Sequence, residues 1–309
     1  MQESIVFFGT GPVASESLKL LAQTFTIEAV VTKPRAPHHH GAVPVLDTAA
    51  ALGLPIIEVV NKKDVSTKVH RAAFKSSLSV LIDFGIIVTQ DVIDSFALGI
   101  VNSHFSLLPQ WRGADPITFS ILSGQKTTGV SLMLLVEAMD EGPLLAVGEL
   151  DVDDNVTTPM LTSQLIELSY SLLSETLPKY VAGEVKSAPQ EKVASIVGYS
   201  DKPSYSRKLT KEDGVLDWTK PAAQLEHEIR AYIEWPKSRT ILGGHAVIIT
   251  KAHVVPSNAS KAKPGDIEII REAKTIMIAT GSGSLCIDSL KPAGKQEMTT
   301  SAFLNGYKI

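Results

Sequence analysis

Over the first half of the chain, short apolar runs alternate with segments whose apolar residues repeat at helical spacing. The runs are Ile5–Phe8, Ile27–Val31, Pro55–Val60, Leu78–Ile82 and Ile100–Asn102. Val13, Leu18 and Leu21 mark the buried stripe of a helix after the first run, and Leu46–Leu52 lies in another. Strands buried on both faces show such runs, and helices between them predict a parallel sheet. The expected first domain is therefore α/β, with a doubly wound, mostly parallel, Rossmann-like sheet. Beyond Val130 the pattern changes. Val130–Val136 and Leu144–Val152 are strand-like with a turn between them, an antiparallel pair that closes the sheet. Leu161, Leu165, Leu168, Leu172 and Leu173 then mark one face of a long helix ending near Tyr180.

The polar stretch from Ser187 to Lys202 reads as a linker. After it come one helix, Ala222–Tyr232, and then only short strands: Ala246–Val254, Asp266–Ile270, Thr275–Ala279 and Leu285–Leu290. Several short strands with Gly-rich turns predict a small OB-like β-barrel. The expected division is residues 1–187, a linker over 188–203, and a second domain over 204–309.

Composition narrows the class. Hydrophobic residues make up 44% and charged residues 20% of the 309, enough apolar material for folded domains and against a disordered chain. The net charge of −4 creates no global field toward nucleic acid, so any such contact needs a local basic patch. The single cysteine, Cys286, has no internal disulfide partner, and its alternating flanks mark it as an inert core thiol. The start MQESIVFFG has no basic segment leading into a long apolar one, and no apolar run approaches the ~18 residues of a membrane span. A cytoplasmic monomer without membrane contact is expected.

Gly9-Thr10-Gly11 after the first strand invites a dinucleotide fingerprint. Ala14 stands at the third glycine position, and the acidic residue that should end the second strand is replaced by Thr32-Lys33. The turn therefore reads as an entry into the first helix rather than a nicotinamide or flavin site. His38-His39-His40 reads as a solvated loop, because three consecutive side chains cannot converge on one ion without strain. No metal is expected. The informative stretch is Val101 to Gly113. Asn102 and His104 are two residues apart, so on an extended backbone both point to one side. They bring an amide donor and an imidazole to the C-terminal end of a strand, where open α/β sheets bind ligands.

That stretch also carries a resemblance. Asn102-x-His104-x-Ser106-Leu107-Leu108-Pro109, followed by Trp111-Arg112-Gly113-Ala114 and Pro116-Ile117, resembles the signature of the formyltetrahydrofolate-dependent transformylases. Gly129-Val130-Ser131 and Met139-Asp140-Glu141-Gly142-Pro143-Leu144 continue it, with Asp140 where that family has its essential aspartate. Tyr205 to Asp213, Leu216-Asp217-Trp218, Ala222 to Glu226, Ile229-Arg230-Ala231, Trp235 to Ser238 and Pro292 to Lys295 resemble the second domain of members that formylate charged initiator tRNA. Glycinamide ribonucleotide transformylase has no such domain.

The resemblance implies a co-substrate, 10-formyltetrahydrofolate, and an acceptor, the α-amine of methionine on initiator tRNA. It implies that Asn102 and His104 stabilise the oxyanion of a tetrahedral intermediate while Asp140 assists proton transfer. Ser106, Leu107, Leu108, Pro109, Phe84, Gly85 and Ile86 would border the folate, and Arg112, Arg207, Lys208 and Lys237 would contact tRNA. Asp83 stands where relatives often have a small residue, and Lys33–Pro44 is shorter than the usual loop for the acceptor stem. That leaves open an enzyme formylating another amine, such as an amino sugar nucleotide, or a non-catalytic folate- or tRNA-binding protein.

Overall fold

The computed structural model describes residues 3–38, 41–256 and 262–309. The first part of the chain runs β1 (Ser4–Phe8), α1 (Pro12–Thr24), β2 (Thr26–Thr32), α2 (Pro44–Ala51), β3 (Ile56–Glu58), α3 (Lys62–Ala72), β4 (Ser79–Leu81), α4 (Gln90–Ile93), β5 (Ile100–His104) and β6 (Arg112–Gly113). It continues through α5 (Pro116–Leu122), β7 (Thr127–Leu134), β8 (Leu144–Asp151), α6 (Thr158–Val181), α7 (Gln190–Val197) and β9 (Tyr205–Ser206). The last part holds α8 (Ala222–Ala231), β10 (Ser238–Leu242), β11 (His245–Val255), β12 (Ile267–Ile270), β13 (Thr275–Ala279), β14 (Ser284–Pro292), β15 (Met298–Thr299) and α9 (Thr300–Gly306). Proline opens α1, α2 and α5 at the position where a missing N–H costs nothing and a fixed φ helps.

By its contacts the chain forms two units. The first comprises residues 1–114, 127–151 and 162–206, and the second residues 115–126, 152–161 and 207–309. Among the described residues, the first unit carries a seven-stranded sheet in the order β3-β2-β1-β4-β5-β7-β8. The strands from β3 to β5 are parallel, while β7 and β8 join antiparallel. Order reverses between β1 and β4, which opens a crevice at the carboxyl ends of those strands. One face of the sheet packs around Val6, Phe8, Val31, Leu81, Phe84, Phe96 and Ile100.

The second unit carries an antiparallel sheet, β10-β11-β14-β13-β12 with β15 on β14. Ala222, Leu225 and Ile229 of α8 pack with Val247, Ile249, Leu285, Ile287 and Phe303 as its core. Both sheets match the pattern expected from the sequence. The stretch expected to be a linker contains α7 and belongs by its contacts to the first unit. Ala188 exchanges backbone hydrogen bonds with Leu144, and Val193 packs against Leu108, Met133 and Leu144. Nor does the C-terminal part hold only one helix and strands, because α9 closes it with Phe303 buried in the core. No described helix is long and apolar enough to cross a membrane.

Candidate active site

Strand β5 sets the geometry. It lies between β4, where Leu81 pairs with Asn102, and β7, where Met133 pairs with Asn102 and Ser131 with His104. Asn102 and His104 are both buried to 7% exposure at the carboxyl end of the strand. Ser103, between them, faces the other way and shares a 2.7 Å hydrogen bond with Ser169 of α6. The alternation of a pleated strand thus puts the amide and the imidazole on one side.

Asp140 reaches this edge from the turn between β7 and β8. Its Oδ1 stands 3.5 Å from Asn102 Nδ2 and 3.8 Å from His104 Nδ1, while Oδ2 accepts the Gly113 N–H at 2.7 Å. Its backbone is left-handed at φ 54°, a conformation Asp tolerates better than most residues. His104 Nε2 lies 2.9 Å from the Trp111 carbonyl oxygen. A carbonyl only accepts, so Nε2 carries the proton and Nδ1 is the nitrogen turned toward Asp140. Gly113 is required where β6 runs beside β9, because at φ 105° a Cβ there would stand 2.5 Å from the Ser206 carbonyl oxygen.

The other expected site residues divide by burial. Ser106, Leu107, Leu108 and Pro109 all lie inside. Ser131 Oγ donates to the Ser106 carbonyl at 2.7 Å and accepts the Leu108 N–H at 2.9 Å, and Tyr199 donates to the Leu108 carbonyl at 3.0 Å. Burial, with Glu149 adding to it, pushes the Tyr199 hydroxyl up to about 12. Phe84 turns into the core, edge-on to Phe8 at 5.4 Å, whereas Gly85 is exposed. The Gly85 N–H donates to Thr10 Oγ1, and its carbonyl accepts Lys33 Nζ, both at 3.2 Å. Residues 82–88 leave β4 beside the end of β5, so they border the same edge as Asn102.

Asp83 has a physical account. Thr10 N–H and Gly11 N–H both donate to its carbonyl, at 3.0 and 3.4 Å. A Cβ on Gly11 would meet Asp83 Oδ2 at 1.7 Å, so the carboxylate lies against the start of α1. A carboxylate is stabilised at a helix N-terminus.

Arg112 is buried to 7% exposure rather than presented outward. Its guanidinium donates to Gln190 Oε1 and pairs with Glu141 at 3.2 Å and Glu191 at 4.0 Å. In the second unit, Lys208 and Lys237 are exposed. Arg207 forms a bidentate pair with Asp213, at 2.8 and 2.5 Å, which holds that carboxyl well below the usual range. Lys220 and Arg230 are likewise engaged by Glu228 and Glu226. Sequence reasoning missed Gln190 and Tyr199, which carry no local motif, and read Thr10, Lys33 and Ser131 only as parts of larger motifs, without the contacts they make.

His38 is exposed, and the rest of the triple-histidine reading, His39 and His40, lies outside the described residues. Among the described residues one group of metal-ligand type lies close together: His253, Cys286 and Asp288. There His253 Nδ1 is hydrogen-bonded to both Asp288 oxygens, at 3.0 and 3.1 Å. Cys286 is buried, though outside the core cluster formed by its neighbours Leu285 and Ile287. Burial and Asp288 push its thiol up, in keeping with an unreactive group.

A mostly parallel sheet with an amide, an imidazole and a carboxylate at one strand end, followed by an antiparallel second domain, matches a known class. Residues 5–177 match the family model described as "Formyl transferase", and residues 208–308 match "Formyl transferase, C-terminal domain". The methionyl-tRNA formyltransferase of Chloroflexus aggregans is 36% identical over 308 residues, 98% of this chain and 96% of its own. That of Myxococcus xanthus is 33% identical over 309 residues, 99% of this chain and 95% of its own. In fold the chain is similar to WlaRD, a sugar 3N-formyl transferase solved in the presence of dTDP and 5-N-formyl-THF. The TM-score is 0.66 at 16% identity, covering 96% of this chain and 100% of the other. The chain belongs to the methionyl-tRNA formyltransferase family, and it is a transferase.

Proposed function

We propose that this enzyme transfers the formyl group of 10-formyltetrahydrofolate to the α-amine of methionyl initiator tRNA, using Asn102, His104 and Asp140. The observation that carries the reading is the convergence of Asn102 and His104 on Asp140 Oδ1. The neutral amine attacks the formyl carbon, which becomes tetrahedral and places negative charge on the formyl oxygen. Asn102 Nδ2 donates to that oxygen without changing its own charge, and an imidazolium at His104 adds a second donor from Nδ1. The attacking nitrogen must lose a proton, and the folate nitrogen must gain one as the C–N bond breaks. Asp140 accepts the first, directly or through a water, and the proton returns to the leaving nitrogen. No step calls for a metal.

The folate would lie along residues 84–86 and 106–109. Residues 84–86 would border its ring, and Ser106–Pro109 would form a rigid wall. In this reading residues 1–187 carry the catalytic chemistry, residues 188–203 with α7 join on as part of the same unit, and residues 204–309 bind tRNA. Lys208 and Lys237, exposed and basic, would hold acceptor-arm phosphates, with Arg207 beside them. Arg112 contributes by its internal bonds. The enzyme works as a cytoplasmic monomer.

The direct test incubates the protein with 10-formyltetrahydrofolate and methionine-charged initiator tRNA and follows N-formylmethionine. Formation of that product, lost in Asn102→Ala, is the expected result. Formyl transfer to a small amine or sugar amine with indifference to tRNA would reject the acceptor. Retained turnover in both Asn102→Ala and Asp140→Asn would reject the mechanism.

A further inference from the structure

Gln190 is a polar residue in a stretch that reads as a linker, yet it is only 2% exposed. It follows Pro189 and opens α7, and its amide is used completely. Oε1 accepts from Arg112 Nη2 at 2.8 Å and from Nε at 3.3 Å. Nε2 donates to the carbonyls of Asp140 at 2.8 Å and Gly142 at 2.9 Å. The orientation is unambiguous, since a flipped amide would set NH₂ against a guanidinium and oxygen against two carbonyls.

These bonds join two pieces of the site. On one side is β6, whose Gly113 N–H holds Asp140 Oδ2. On the other is the main chain of Asp140 itself, in a left-handed conformation at φ 54°. A turn of that kind has near alternatives, and a swing about its backbone would carry the carboxylate away from Asn102 and His104. Both amide protons of Gln190 fall on carbonyls of this turn, so the swing would break both hydrogen bonds at once.

We propose that Gln190 is the positioning residue for Asp140. It locks the turn so that the carboxylate stays against the amide and imidazole, and it makes the segment after the long helix part of the catalytic apparatus. This rests on the reading of Asp140 as a catalytic residue. The Gln190 amide bonds Arg112 and two main-chain carbonyls and not the Asp140 carboxylate itself, so it acts through the turn. Arg112 is its counterweight, fixing Oε1 so that the two N–H groups point at the turn.

The test uses full-length protein and two variants. Gln190→Glu keeps the volume and the pairing with Arg112 but removes both donors to the turn. Gln190→Leu removes all polar contacts. Turnover should fall on the order of 10- to 100-fold, as expected for a reacting group displaced by about an ångström, while KM for folate and for tRNA changes less than about two-fold. A residue with a merely structural role would lower the urea midpoint without that split. The decisive measurement is the same substitution in an Asp140→Asn background. If Gln190 acts through Asp140, Gln190→Glu should then cost less than about three-fold more, because the carboxylate it positions is gone. Equal losses in both backgrounds, or an unchanged kcat in Gln190→Glu, would overturn the proposal and leave the function standing. Wild-type turnover in Asp140→Asn alone would instead remove the catalytic reading, and this proposal with it.

Discussion

Asn102 and Asp140 do different work although their side chains are nearly the same shape. Asn102 makes one long contact, 3.5 Å to Asp140, and leaves an amide proton for a ligand. Asp140 spends one oxygen on a backbone N–H and turns the other toward the Asn102 amide and the His104 ring. An oxyanion donor is worth about two to three orders of magnitude in turnover. Asn102→Ala should therefore lower kcat on the order of 10²- to 10³-fold with a wild-type unfolding midpoint, as read by single-turnover formylation and urea titration. Asn102 and His104 were legible in the sequence because a strand places alternate residues on one face. Asp140 became legible only through the family resemblance, since the turn that returns it to β5 leaves no local periodicity. Gln190 was not legible at all, because burial and three partners far away in sequence make it matter.

At the scale of elements, the turn between β7 and β8 is held by close backbone contact. A Cβ on Gly142 would stand 1.8 Å from the Leu134 carbonyl oxygen, and a main-chain atom cannot rotate away. Gly142→Ala should destabilise the fold by roughly 1–3 kcal/mol, the usual range for forced overpacking, and lower turnover with it. Urea denaturation and the formylation assay read the two effects together. Helix α3 makes a different point. Its buried residues are Val65 and Val69, one helical turn apart in an otherwise polar stretch, and it was not singled out from the sequence. Asn61 caps it, its side chain accepting from the Asp64 N–H at 3.0 Å. Asn61→Ala should cost about 1 kcal/mol of stability, without effect on kcat. Helices α7 and α9 were hidden for a related reason, being short segments whose few buried side chains find their partners far along the chain.

For the molecule as a whole, pH and salt probe separate features. The unfolded Tyr199 hydroxyl ionises near pH 10, as a free tyrosine does, roughly two units below its folded value. The folded chain therefore holds a proton that the unfolded chain gives up. The stability from this group is whole below about pH 10 and is lost as pH rises to about 12. Wild type should lose more stability than Tyr199→Phe between pH 9 and 11.5, by urea titration at the two values. Equal losses would show that the hydroxyl is not so buried. Affinity for charged tRNA should fall steeply with salt. Lys208→Ala and Lys237→Ala should each flatten the log–log slope by about 1 if they neutralise phosphates. Arg207, already committed to Asp213, should change the slope less than either.

By itself the sequence determined the layering of the first sheet, the antiparallel character of the second, and the amide–imidazole pair on β5. Apolar periodicity and strand alternation are local properties that a reader can count along the chain. Only tertiary structure decided that Arg112 turns inward, that Asp83 lies over the start of the first helix, and that an unremarkable glutamine closes on the turn of Asp140. A buried polar side chain is defined by partners that folding brings to it, and nothing in its neighbours along the chain records who they will be.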